Sequence, residues 1–423
     1  MRQVVKNRGS AGVDGMVADD LPEYVKSNMG RLSTSIINRK QNASPILGVS
    51  IPKSNGQNRL LGVPTVIDRM LQQCVSQILS TRFEPEFKDQ SYGFRANRNA
   101  QQAVQASQKH INEGYSYIVD IDLQNFFDEV DHCILLQLIY NKVKCDVTLR
   151  LIRKWLRAPI QIDGKLHRRR KGVPQGSPLS PLLSNILLNE LDSTLEKEDL
   201  RYVRYADDFS IYLKSKSEAR EVGNKIFLFL KNRLKLPINR EKSGIRRPSD
   251  FKILGYRFTA NLKKGERGYV VTPSLKSWDN LKRSLKRLTR KTTPFSFDVR
   301  IKQLKAVYRG WINYFRLACM QEKLKALDSW MRNRLRYCIW HDWKKPRTRM
   351  RNLIRLGVKP KLGYLWSKTK MGGWAVAQSP IMVTSVTLAK LRKRGYESML
   401  DHYEKVAILL NEPLYTRPVR TVV

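Results

Sequence analysis

The spacing of apolar residues changes period several times along this chain. Residues 48–64, GVSIPKSNGQNRLLGVP, read as strand, turn, strand, because Ser54-Asn55-Gly56 tolerates the backbone conformations a tight hairpin demands. Apolar positions 67, 70, 71, 75, 78 and 79 then recur at helical spacing. YSYIVDIDL (115–123) is rich in aromatic and β-branched residues and predicts a strand, with a helix-like stretch after it through Leu138. Positions 182, 183, 186, 187, 191 and 195 predict another helix, with Ser180 as N-cap and Pro181 at its first position. RYVRYADDFSIYLKS (201–215) gives two short strands, 201–205 and 209–213, folded at Asp207-Asp208. A helix at 217–234 and strands near 251–259 complete this part.

From residue 272 onward the pattern is helical. In 277–291, Leu281, Leu285 and Leu288 share a face, and Lys282, Arg283, Lys286, Arg287 and Arg290 occupy the others. Residues 301–318 repeat the stripe with aromatics in it. The first two-thirds therefore predict an α+β fold and the remainder an all-α one.

Charge narrows the function. Lys and Arg number 79 against 37 Asp and Glu, a net charge of +42, while 41% of residues are apolar. A chain with enough apolar residues for a core and that much positive charge fits a polyanion, nucleic acid first. A ribosomal or chromatin-like packing protein would share the composition. A membrane role is disfavoured, because no apolar run reaches about 18 residues, and the N-terminus lacks the apolar stretch of a secretory signal. The five cysteines form no CxxC pair, so they suggest neither a zinc knuckle nor a disulfide framework; buried free thiols in a reducing compartment are the simple reading.

Against that background the carboxylates stand out. Asp120 and Asp122 share one face of their strand, since side chains alternate. If that strand lies beside the 201–213 hairpin, three or four carboxylates converge, Asp207 and Asp208 among them. Asp-Asp alone reads as a turn. A convergent cluster needs compensating cations, and hard oxygen donors favour Mg²⁺. Two such ions, roughly 3.5–4 Å apart, would stabilise the attacking and leaving oxygens of an in-line phosphoryl displacement.

The ordered motifs resemble one family. YADD between two apolar strands resembles motif C of reverse transcriptases, IVDIDLQNFFDEVDH (118–132) their motif A, GVPQGSPLSPLLSNILLNELD (172–192) motif B, and LPINREKSGI (236–245) motif D. IPKSNGQNRLLGVPTVIDRMLQQ and FEPEFKDQSYGFRANRNAQQAV resemble finger motifs of the group; YRGWINYFRLA and WKKPRTRMRNLIRLGV resemble the maturase thumb, domain X. WAVAQSP resembles the DNA-binding segment of members without an endonuclease. The set is most similar to bacterial group II intron-encoded reverse transcriptase/maturases, of the IIC class lacking an endonuclease.

The resemblance implies a right-hand polymerase, with fingers at 1–110, palm at 111–265, an all-α thumb at 272–345 and a small basic DNA-binding domain at 346–423. It implies an RNA-directed DNA polymerase that also binds its intron RNA and assists splicing and retrohoming. The implied partners are intron RNA, RNA template, DNA primer or target and dNTPs, in the bacterial cytoplasm and at the nucleoid. Asp122 aligns with the motif A metal ligand and Asp120 does not, with the Ile121 carbonyl as helper; Asp207 is the principal motif C ligand and Asp208 completes the site. Phe127 resembles the steric gate against a 2′-OH, and Phe126 its core-facing neighbour. Lys53 and Arg59 resemble the pair that grips the triphosphate, Gln175 and Gly176 the loop under the nascent base pair, and Lys242 the proton donor to pyrophosphate. Arg95, Lys282, Arg283, Lys286, Arg287, Arg347, Arg349 and Arg351 are the expected nucleic-acid contacts.

In 330–361, 11 Lys and Arg accompany one acid, with Trp330, Tyr337, Trp340 and Trp343 interleaved; Trp340 and Trp343 fit core positions as well as stacking ones. Departures from the family pattern fall at RANRN, at QQ where histidine is frequent, and at Leu60 where proline is common. The start near GSAGVDG reads as late or trimmed, and the end at VRTVV as lacking an endonuclease. The alternatives are a splicing-only maturase, or a reverse transcriptase of a retron, CRISPR or diversity-generating system.

Overall fold

The computed structural model describes residues 1–52, 56, 58–261 and 268–411, the side chains of 408–411 excepted. The chain divides into two compact units, Met1–Phe251 and Lys252–Val423.

In the first unit, strands Ile46–Pro52 and Asn58–Val63 pair antiparallel, Leu47 with Val63 through Pro52 with Asn58. Of the expected turn, Ser54 and Asn55 lie outside the described residues, and Gly56 has φ +83°. The sheet is extended by a small hairpin, Ile160–Ile162 with Lys165–His167, that the apolar pattern did not predict. Helix Val66–Phe83 follows, its first turn capped by the Thr65 hydroxyl, which accepts from the Asp68 N–H.

The second sheet carries the carboxylates. Its strand order is Arg201–Tyr205, Asp208–Leu213, Tyr117–Ile121, Gly244–Arg246, all neighbours antiparallel. One face presents Val119, Ile121, Phe209 and Ile211 to a core shared with Leu183, Leu187, Leu191 and Leu195 of helix Ser180–Lys197. Each of these is under 6% exposed, and burying one such side chain contributes about 1.5–3 kcal/mol. The helix begins at Ser180 itself; the Ser180 hydroxyl donates to the Pro174 carbonyl instead of capping the helix. The predicted 217–234 helix is an α-helix over Lys216–Phe229 that widens into a π-turn at Leu230–Leu234.

The second unit opens with a three-stranded sheet, Lys252–Ile253, Tyr256–Ala260 and Tyr269–Pro273. Helices Leu275–Leu288, Phe297–Tyr314 and Gln321–Asp342 come next, then shorter helices to Asn411. Buried Asp328 joins them: it accepts from the Tyr396 hydroxyl (2.8 Å), the Ser398 hydroxyl (2.5 Å) and the Met399 and Leu400 N–H groups (2.9 and 3.0 Å). It thus caps the start of helix Met399–Asn411 from within the long helix.

The thiols correct one expectation. Cys74, Cys133, Cys145 and Cys319 are exposed, and only Cys338 of the five is buried. Among the described residues no helix is long and apolar enough to cross a membrane.

Candidate active site

The register of the second sheet brings the acids together. Asp120 lies opposite Ser210 and Ile121 opposite Phe209. One step further along the same antiparallel register, Asp122 comes opposite Asp208. Tyr205 pairs with Asp208, so the hairpin turn consists of Ala206 and Asp207, and Asp208 belongs to the strand. A two-residue hairpin turn favours positive φ, and Ala206 supplies it at +58° without being glycine. That conformation costs a residue with a Cβ about 1–2 kcal/mol, so its surroundings must hold it.

The segment after the hairpin closes over Asp122. The Asp122 N–H donates to the Ser243 hydroxyl at 3.0 Å, and the Asp122 carbonyl accepts from the Asn239 N–H at 2.9 Å. Lys242, exposed, places its Nζ 3.5 Å from the Asp122 carboxylate. Asp120 is held differently: Arg246 Nε donates to it at 2.7 Å.

Crowding is visible in the protonation equilibria. Burial pushes the Asp208 carboxyl up to about 6, with Asp207, Asp122 and Asp120 adding negative charge around it, although the residue as a whole is exposed. Burial also raises Asp207 above the usual carboxylate range, with Asp122 adding to the shift and Arg59 and Arg204 opposing it. Asp120 is raised by burial and pulled back by Arg246.

The neighbouring loops dock closely. The Gly62 N–H donates to the Gln175 carbonyl at 2.8 Å, and Arg59 Nε donates to the Gln175 side chain. Gly176 has φ +116°, and a Cβ there would stand 2.7 Å from the Gly62 carbonyl oxygen, so glycine is required. Lys53 lies outside the described residues. Phe126 is buried at 2% exposure, while Phe127 is half-buried and meets it edge to face, centroids 5.3 Å apart.

Arg95 departs from its expected role. Its side chain is 6% exposed, its Nε donates to Glu84 at 2.8 Å, and its Nη1 donates to the Ser91 carbonyl at 3.0 Å. With its donors turned inward, it braces the 84–91 segment and offers little to a phosphate. In the second unit Lys282, Arg283, Lys286 and Arg287 are exposed beside buried Leu281 and Leu285. Arg347 and Arg351 are exposed, while Arg349 is half-buried over the Trp340 ring at 4.4 Å. Trp340 is a core residue at 1% exposure, and Trp343 is half-buried.

Sequence reading passed over three residues that the structure places under the turn: Arg204, Asp192 and Asn185, all fully buried and joined by hydrogen bonds. Asp192 and Asn185 share a helix that reads only as a stripe of leucines, and Arg204 is one of 79 cations.

Hard carboxylate oxygens, crowded so that the charge of Asp122 raises the proton affinity of Asp120, Asp207 and Asp208, fit a divalent cation chemically. As they stand, no three His, Cys, Asp or Glu side chains among the described residues converge into a closed ligand set. Among the described residues, the cation paired with Asp122 is the Lys242 ammonium.

Comparison with known proteins follows the same lines. Residues 51–258 match the family Reverse transcriptase (RNA-dependent DNA polymerase), and residues 278–357 match Group II intron, maturase-specific domain. Group II intron-encoded protein LtrA of Lactococcus lactis subsp. cremoris is 28% identical over 321 residues, covering 60% of this chain and 53% of that protein. Protein YkfC of Escherichia coli K12 is 28% identical over 307 residues, covering 63% and 81%. Retron Mx65 reverse transcriptase of Myxococcus xanthus is 27% identical over 172 residues, covering 38% of this chain and 39% of that one. The chain spans about half the length of the Lactococcus relative, 53%.

Proposed function

The chain belongs to the group II intron-encoded reverse transcriptases with a maturase domain, and from that premise we propose that it copies RNA into DNA and also binds intron RNA to assist splicing. Reverse transcriptases work with divalent metal ions; here the ion is proposed to be Mg²⁺, two per site. The observation that carries the reading is the register placing Asp122 opposite Asp208, at the foot of the Ala206–Asp207 turn.

Asp122, Asp207 and the Ile121 carbonyl are the proposed metal ligands, with Asp208 completing the set. When bound, the ions supply charge stabilisation for the attacking 3′-oxygen and the leaving pyrophosphate oxygen. The protein's own part is positioning. Arg59, with Lys53, binds the triphosphate of a dNTP; Gln175 and Gly176 floor the nascent base pair; Phe127 closes on the sugar and excludes a 2′-OH. Lys242, held beside Asp122, delivers a proton to the departing pyrophosphate as the bond from the α-phosphorus to the bridging oxygen breaks, while the primer 3′-oxygen, its proton lost to water, bonds to the α-phosphorus.

The exposed cations Lys282, Arg283, Lys286 and Arg287, with Arg347 and Arg351, are proposed to bind phosphates of intron RNA and of the template–primer duplex; Arg349, half-buried, adds one partly screened donor. The match at 278–357 favours an intron RNA over a retron-type partner.

The test is primer extension on an RNA template with Mg²⁺, comparing dNTPs with rNTPs. Extension with dNTPs alone supports the reading. Tight intron RNA binding without any extension would leave a splicing-only maturase.

A further inference from the structure

The Ala206–Asp207 turn is held by a buried polar set that the metal ligands themselves do not include. Arg204 lies on the core face of the hairpin, 0% exposed, as do Asp192 and Asn185 of helix Ser180–Lys197. Arg204 Nε donates to both Asp192 carboxylate oxygens at 2.8 and 3.0 Å, and Nη2 donates to Asp192 Oδ2. Nη1 is directed elsewhere: it donates to Asn185 Oδ1 at 3.0 Å and to the Ala206 carbonyl at 3.0 Å. Asn185 Nδ2 in turn donates to the Gly93 carbonyl at 2.9 Å. Gly93 presses on the turn from above, where a Cβ would stand 2.2 Å from the Ala206 nitrogen. The backbone adds two more ties, Arg204 N–H to Gln90 carbonyl and Tyr92 N–H to Arg204 carbonyl, both 2.9 Å.

We propose that Arg204, Asp192 and Asn185 are positioning residues that clamp the strained turn between the 90–93 segment and helix 180–197, and so set how tightly the carboxylates hold their metal. The proposal rests on the polymerase reading above. Asp192 satisfies only Nε and Nη2, and the buried Nη1 needs acceptors of its own. Here the third arm of the guanidinium takes, besides Asn185, the carbonyl of Ala206, the turn residue in the left-handed region one position before Asp207. Only a guanidinium has the fork to reach Asp192, Asn185 and the turn together; an ammonium at the end of a lysine does not. Asn185 extends the clamp, satisfying both Arg204 and the Gly93 carbonyl with one amide.

Three variants of the whole chain test this: Arg204→Lys, Asn185→Ala, and the pair Arg204→Met with Asp192→Leu. The pair removes both charges at similar volume and leaves no buried charge alone. Folding is followed by thermal unfolding, Mn²⁺ binding by electron paramagnetic resonance, template–primer affinity in EDTA, and single-turnover addition against Mg²⁺ concentration. Each folded variant should bind Mn²⁺ about 10–100-fold more weakly, the range for losing a residue that orients a metal ligand. The Mg²⁺ midpoint of the reaction should rise in parallel, with template–primer affinity unchanged. Folded variants with wild-type Mn²⁺ affinity and Mg²⁺ midpoint overturn the proposal. Asn185→Ala keeps the Arg204–Asp192 pair and decides the matter should the other two fail to fold. A wild-type chain that makes no cDNA defeats the polymerase reading instead, and Mn²⁺ binding still reports on the clamp.

Discussion

The Lys242 ammonium stands 3.5 Å from the Asp122 carboxylate, close enough to neutralise it and free enough to leave. Lys242 is exposed, and its charge also opposes the upward shift of Asp208. Two effects of one residue can therefore be pulled apart. Lys242→Ala should slow nucleotide addition by about 10²–10⁴-fold, the range for losing a general acid, and should tighten Mn²⁺ binding because a competing cation is gone. Weaker Mn²⁺ binding in the variant would mean that Lys242 supports the metal ligands and is not their competitor.

The raised Asp208 gives a pH dependence. Its folded value of about 6 lies above the ordinary carboxylate range, so between those two values the folded protein binds more protons than the unfolded chain. Its contribution to stability is therefore present at low pH and lost as pH rises through about 6. Asp208→Asn should raise the melting temperature in EDTA at neutral pH, and the gain should shrink as pH falls from about 6 and vanish only below the ordinary carboxylate value of 3.8. Metal binding runs the other way: the apparent Mn²⁺ affinity of the wild type should fall as pH drops through that range, because protons compete for the same oxygens. A flat Mn²⁺ affinity across the range would remove Asp208 from the metal site.

Splitting the two proposed roles requires only the aspartates. Asp207→Ala with Asp208→Ala should abolish cDNA synthesis on a primed RNA and leave intron splicing in place, since the cations proposed to bind phosphates are untouched. Lost splicing in a folded, RNA-binding variant would show that the two roles cannot be separated this way.

Phe127 sets sugar discrimination in this reading. Phe127→Ala should raise rNTP use relative to dNTPs by about 10–100-fold, comparable to opening a shape-selective pocket by a few carbons. Phe126→Ala should instead lower stability by about 3–5 kcal/mol, the cost of emptying a buried aromatic site, because it is 2% exposed. Discrimination ratios and denaturant midpoints distinguish the two.

The basic face is read out by salt. Replacing Lys282, Arg283, Lys286 and Arg287 together by Gln should weaken RNA binding and lower the slope of log affinity against log salt by up to about 3, at roughly 0.7 per single-strand phosphate contact. An unchanged slope would place the RNA on another surface.

Much of the frame was legible before the structure. Helix 66–83 and the 201–213 hairpin follow from periods that tertiary contacts had no reason to override. The Ile160–His167 hairpin escaped because its strands are three residues each, too short for alternation to register. A signal existed at Asp163-Gly164, a pair suited to a tight turn, with φ +49° and +79°. The acids were legible because they are rare in a cationic chain. Arg95 was misread for the converse reason: one more arginine in a basic stretch looks like a phosphate ligand, and only the fold reveals Glu84 beneath it. Arg204 and Asp192 could not be paired from sequence, because nothing local says that a residue on one element will meet another twelve positions earlier on a helix.

The antiparallel ladder between 117–121 and 208–213 has a further consequence. Because Ile121 pairs with Phe209, the next step of the register sets Asp122 against Asp208, and their spacing is cut first into the main chain, with the core side chains and the clamp under the turn holding that backbone in place. A slip of a single residue would turn Asp122 toward the leucines and dismantle the pair at one stroke.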